Sequence, residues 1–81
     1  MRIPRDIGAA DLLSLLRRFG YQPTRQSGSH IRLTTATNGE HHITIPRHNP
    51  LRVGTLHAIL KDVAAHLNMD LRDFTAQLFK Q

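Results

Sequence analysis

Apolar residues recur along the chain at two spacings, which predict helices at both ends and strands between them. Over about Ala9–Phe19, leucines and a phenylalanine repeat every three or four residues, as in an amphipathic helix, and Gly20 ends the segment. Gly8 is the predicted N-cap, with Asp11 in the first turn. The same spacing predicts a second helix over about Thr55–Leu67.

A third helix is predicted near the C-terminus, from about residue 70 to 79. Asp70 is its predicted N-cap, and Met69 and Phe74 are spaced to pack against each other across the first turn. Leu71, Phe74 and Leu78 form its apolar stripe, which predicts that this helix also has a buried face.

The middle of the chain alternates apolar and polar residues, as half-buried strands do. Ile31 and Leu33 share one face of a strand that begins at His30, and Ile43 and Ile45 share one face of a strand over Glu40–Pro46. These apolar faces are expected to turn toward the helices. The opposite, outer face is predicted to carry His30, Arg32, Thr34, Thr44 and His42.

The pairing of these two strands follows from keeping both apolar faces on one side. A two-residue Asn38-Gly39 turn would place a core residue opposite a solvent-facing one. A three-residue loop, Thr37–Gly39, pairs Leu33 with Ile43 and gives Gly39 the left-handed position.

An edge strand is predicted over Tyr21–Gln26, because Pro23 cannot donate to a ladder. A two-residue Ser27-Gly28 turn, the prediction favoured here, places Arg25 opposite His30, whereas a longer loop would turn Arg25 to the other face. The predicted order is α-β-β-β-α-α. The fold class is α+β, a three-stranded antiparallel sheet with helices on one face.

The composition is that of a small basic protein, and it limits the kinds of functional site that the chain can form. Its 81 residues predict one domain, 1–81, with a core of about 8–67 and a C-terminal helix of about 70–79. The formal charge of +5 favours nucleic acid or an acidic protein as partner. The absence of Cys excludes disulfides and thiolate sites. No apolar run is long enough for a membrane span or a signal peptide, so the expected location is the cytoplasm.

The candidate chemistry centres on His30, which follows the turn residues Gly28 and Ser29 and shares a face with Arg32. An imidazole titrates near neutral pH, and a guanidinium binds phosphate well. Arg47 and His48 follow the last strand and either contact phosphate or belong to a solvated loop. The six histidines show no spacing that brings three ligands together, so no metal and no cofactor are expected.

Four motifs occur in a fixed order along the chain: Gly20-Tyr21, Arg25-x-x-Gly28-Ser29-His30, Ile43-x-Ile45-Pro46-x-His48 and Gly54-Thr55-Leu56-x-x-Ile59-Leu60. The set resembles the HicA family, small toxins of bacterial toxin–antitoxin pairs. The resemblance implies a double-stranded-RNA-binding-like α-β-β-β-α fold. It also implies a type II toxin that cleaves mRNA without a metal and is held inactive by a HicB-type antitoxin, with its essential histidine at His30. The chain departs from the shortest members by its third helix and by Val53, where proline is common.

These expectations assign catalysis to His30 and RNA binding to six residues: Arg25, Gly28, Ser29, Arg32, Arg47 and His48. His42 or His48 could supply a second proton-transfer group. A non-catalytic RNA- or DNA-binding module is the rival interpretation, although Thr55–Lys61 has one lysine where double-stranded-RNA-binding domains carry a run. A third is a protein-interaction domain whose basic face binds an acidic partner.

Overall fold

Three helices and three strands make up the computed structural model, which describes residues 3–80. Their bounds are α1 Ala9–Arg17, β1 Gln22–Ser27, β2 His30–Thr35, β3 His41–Pro46, α2 Val53–His66 and α3 Leu71–Leu78. The strands form one antiparallel sheet in the order β1-β2-β3. The predicted α+β class is confirmed, including the additional C-terminal helix.

Both predicted long helices are present, with shifted ends. At the start of α1, Gly8 N–H donates to Asp11 Oδ2 over 3.1 Å. This helix stops at Arg17, two residues before the predicted Phe19, and a turn leads to Gly20 at φ +95°. Helix α2 begins two residues before the predicted Thr55, because Leu56 N–H donates to Arg52 O over 2.9 Å and closes a turn there.

The β2–β3 register is as predicted, with Leu33 opposite Ile43 and Ile31 opposite Ile45. All four side chains are buried, in one cluster with the apolar faces of α1 and α2. Strand β2 ends at Thr35 and β3 begins at His41, so the connecting loop spans residues 36–40 and is longer than the predicted three residues. Its Asn38 and Gly39 both adopt positive φ, as a tight reversal requires.

The predicted β1–β2 turn was wrong by one residue. Ser27 pairs with His30, so Gly28-Ser29 forms the turn, and Arg25 lies opposite Arg32 rather than His30. Gly28 has φ +52°, a left-handed conformation that glycine adopts without strain, which accounts for its place inside the turn. The register shifts between Pro23 and Arg25, where Thr24 is the extra residue of a β-bulge.

Helix α3 packs on the core. The Asp70 carboxylate accepts from two backbone N–H groups at its start, as predicted for an N-cap. Phe74 and Leu78 are fully buried, and the Phe74 ring meets Phe19 edge to face at 5.1 Å. The Arg18 guanidinium donates to the carbonyls of Gln77 and Leu78 at the C-terminal end of α3, where a cation is favourable. These contacts tie α3 to the end of α1.

Candidate functional site

His30 lies on the outer face of the sheet, at the first position of β2. The β2 side chains alternate between exposed and buried from His30 onward, so the imidazole points away from the helices. It lines a shallow pocket of about 250 Å³ together with Arg25, Ser27, Arg32 and Thr44. The outer-face position expected for His30 is therefore what the structure shows.

Two guanidinium groups give this pocket its charge. Arg25 and Arg32 are exposed and lie directly opposite each other on β1 and β2. The ion pairs found among residues 3–80 join histidines to acidic residues, so neither guanidinium has a carboxylate partner there. Like charges directly opposite on a sheet are destabilising. A bound phosphate would relieve this repulsion, and its oxygens suit the guanidinium donors.

One hydrogen bond orients the His30 ring. Ser29 Oγ lies 3.3 Å from His30 Nδ1. In the described part of the chain Nε2 has no partner, so this nitrogen is open to the pocket. Gly28 contributes the turn conformation, and no atom lies within 4 Å of the Cβ position it lacks. Ser29 and Gly28 thus set the position of the imidazole.

Arg47 and His48 lie outside the His30 pocket. They line a second hollow of about 310 Å³, with Gln26, Ile31, Asn49 and the start of α1. Arg47 N–H donates to Ser29 O, which holds the segment after β3 beside the β1–β2 turn. The residues predicted to bind RNA therefore divide into two neighbouring surfaces.

Neither predicted second proton-transfer residue lies in the His30 pocket. His48 lines the second hollow, and His42 lies opposite Thr34, four residues along β2 from His30. The pocket instead contains Ser27 and Thr44, which sequence reasoning did not assign to the site. The strand alternation predicts Thr44 on this face, opposite Arg32, so the sequence did contain the information that places Thr44 near the site. Ser27 had been placed in the turn.

A separate hydrogen-bonded chain runs from the core to α2. The Tyr21 hydroxyl donates to His41 Nδ1 over 2.7 Å, and His41 Nε2–H donates to Asp62 Oδ1 over 3.2 Å. The His41 ring stacks on His66 at 4.3 Å. The His41–Asp62 contact joins β3 to α2, and the Tyr21 hydroxyl is fully buried, so it is not presented to solvent as a nucleophile. Burial and, secondarily, the charge of Asp62 raise the pKa of Tyr21 to about 12.

We predict that the protein loses stability as pH rises from about 10 to about 12. In this window the unfolded chain has released the tyrosine proton while the folded chain still holds it, so unfolding becomes more favourable by up to about 2 kcal/mol. The chain has one Tyr and no Trp, so phenolate absorbance reports Tyr21 alone. A phenolate midpoint near 10 in the folded protein would contradict this prediction. In Tyr21→Phe the corresponding loss of stability should be absent.

Among residues 3–80, His, Cys, Asp and Glu side chains do not gather in any group of three that could hold a metal ion. In the same range, no helix has the length and apolar character needed to cross a membrane.

The sequence profile described as "HicA toxin of bacterial toxin-antitoxin" matches residues 9–64. The chain belongs to this HicA toxin family. The match runs from the start of α1 through most of α2 and includes every residue of the His30 pocket. Membership makes the protein the toxin of a toxin–antitoxin pair, in a family of ribonucleases, and implies an antitoxin partner. Helix α3 lies outside the matched range. Comparison with curated proteins and with solved structures finds no match.

Proposed function

We propose that this HicA protein is the mRNA-cleaving toxin of a type II pair, that it acts without a metal ion, and that His30 carries the proton transfer. The observation that supports this most is an exposed imidazole in a pocket with two guanidinium groups unpaired among the described residues. An open Nε2 can exchange a proton with substrate, and the two cations can hold a phosphate beside it.

In the proposed reaction, His30 Nε2 removes the proton from an RNA 2′-hydroxyl. The 2′-oxygen then forms a bond to the adjacent phosphorus, and the bond from phosphorus to the 5′-oxygen breaks. The leaving oxygen takes its proton from protonated His30 or from water, giving a 2′,3′-cyclic phosphate and a 5′-hydroxyl. Arg25 and Arg32 would offset the negative charge that develops on the phosphate oxygens.

RNA binding extends over both surfaces in this proposal. Arg25, Arg32 and the Gly28-Ser29 turn hold the scissile phosphate at the His30 pocket, while Arg47 and His48 contact the backbone at the neighbouring hollow. A HicB-type antitoxin is the proposed partner that keeps the toxin inactive. Residues 1–81 are proposed to act as a single HicA-like domain.

Incubating the purified protein with mRNA in EDTA tests this function. We expect fragments to appear at the same rate with and without the chelator, because every group in the proposed reaction belongs to the protein. Binding without cleavage under all conditions would identify a non-catalytic RNA-binding module instead. Cleavage that EDTA abolishes would contradict metal independence.

A further inference from the structure

A second histidine on the outer face, His42, is fixed by hydrogen bonds at both ring nitrogens. Its Nδ1 lies 2.8 Å from Thr34 Oγ1, and its Nε2 lies 2.7 Å from Glu40 Oε2. Thr34 Oγ1 is in turn 2.8 Å from Thr24 Oγ1 on the β1 bulge. The chain of hydrogen bonds crosses the whole sheet.

These hydrogen bonds determine which atoms of His42 remain free to contact a ligand. The Glu40 carboxylate can only accept, so Nε2 carries a proton, and Nδ1 is occupied by the Thr34 hydroxyl. The side chain is nevertheless 37 % exposed. Because both ring nitrogens are hydrogen-bonded, the exposed surface of the His42 side chain consists of ring carbon atoms, which belong to a flat π system. A ring already held at both nitrogens loses little rotational freedom when another ring stacks on it.

We propose that His42 is a base-stacking subsite for the RNA strand cleaved at His30, a proposal that rests on the proposed function above. Nucleic-acid bases stack on aromatic side chains, including histidine, in single-stranded RNA complexes. The adjoining Arg25 and Arg32 provide the positive charge that a backbone needs. Over the described strands, the other side chains on the outer face are those of arginine, threonine, serine, glutamine, proline and His30 itself, so His42 carries the aromatic ring available beyond the cleavage pocket.

The distance between His42 and His30 separates base stacking at His42 from proton transfer at the scissile phosphate. His42 pairs with Thr34, four residues along β2 from His30, which is about 13 Å at the rise of a β-strand. A base on His42 therefore belongs to a neighbouring nucleotide. Glu40 and Thr34 are positioning residues that hold the ring.

Two RNA substrates of different length test the subsite: a dinucleotide, which occupies only the His30 pocket, and a hexanucleotide, which reaches His42. For His42→Ala we expect kcat/KM to fall about tenfold on the hexanucleotide, as truncation of a base-stacking ring does, and to stay unchanged on the dinucleotide. His42→Phe keeps a ring and loses the hydrogen bonds, so it should restore hexanucleotide cleavage. The matched control is His57→Ala on α2, away from this face, and should change neither rate.

Three outcomes would overturn the subsite. His42→Ala could cleave both substrates like wild type, it could lose activity on both, or His42→Phe could be as slow as His42→Ala. If wild type cleaves neither substrate, the proposed function fails, and fluorescence anisotropy with a labelled hexanucleotide still decides the subsite. About tenfold weaker binding by His42→Ala, restored in His42→Phe, then supports stacking, whereas affinity equal to wild type overturns it.

Discussion

Replacing His30 with alanine is expected to lower the rate of RNA cleavage by about 10²–10⁴-fold, the range that a positioned proton-transfer group contributes. The expected cause is loss of the open Nε2, because the other residues that line the pocket are arginine, serine and threonine and do not replace the imidazole as a proton-transfer group. RNA affinity should stay within about twofold of wild type, since Arg25 and Arg32 supply the electrostatic attraction. Initial rates in EDTA and anisotropy on a non-cleavable RNA measure the two effects separately.

His57→Ala is again the control, because it removes a histidine from α2 and not from the outer face. Thermal unfolding should give similar midpoints for wild type and His30→Ala, since the His30 side chain is exposed. A His30→Ala protein that cuts RNA as fast as wild type would remove His30 from catalysis. Equal loss of cleavage and of affinity would make it a binding residue.

The largest expected effect on stability is that of Phe74→Ala in α3, a loss of about 3–5 kcal/mol. Phe74 is fully buried and packs edge to face on Phe19, so truncation leaves a cavity between α3 and the end of α1. A domain of this size is stable by only about 4–12 kcal/mol, so the variant should lose a large share of its free energy of unfolding. Urea denaturation followed by far-UV circular dichroism measures the change.

Arg72→Ala is the matched control on the same helix, because its side chain is exposed. Its effect should stay within about 0.5 kcal/mol. Similar midpoints for the two variants would show that α3 contributes nothing to the core, and would contradict the packing described for Phe74 and Leu78.

The β2–β3 register could be predicted because burial constrains it. A slip of one residue would move Ile43 and Ile45 from the core to solvent, so only one parity is compatible with the apolar pattern. That parity also placed His30 and Arg32 on the outer face. Strand β1 offers no such constraint, since all its residues are exposed, and its turn was predicted one residue off. The turn position, which sets the partner of Arg25, and the Thr24 bulge, which was not predicted, both depend on backbone geometry that the pattern of an exposed strand does not reveal.

Hydrogen-bond partners were the least predictable part of the site. Tyr21 meets His41 and His41 meets Asp62 only because the β1–β2–β3 meander and α2 pack together, and no sequence spacing encodes these contacts. The contact between Glu40 and His42 was not predicted either. The structure shows Glu40 two residues from His42, where the loop before β3 brings the carboxylate onto the ring.

If His30 assists attack by an RNA 2′-hydroxyl, the chemical groups at the ends of the RNA fragments reveal it. A defined RNA digested in EDTA should give fragments that end in a 2′,3′-cyclic phosphate and begin with a 5′-hydroxyl. The same RNA with a single 2′-deoxy nucleotide at the cut site should stay intact there. Fragments with 3′-hydroxyl and 5′-phosphate ends, or cleavage at the 2′-deoxy position, would contradict this role of His30, because water would then be the nucleophile.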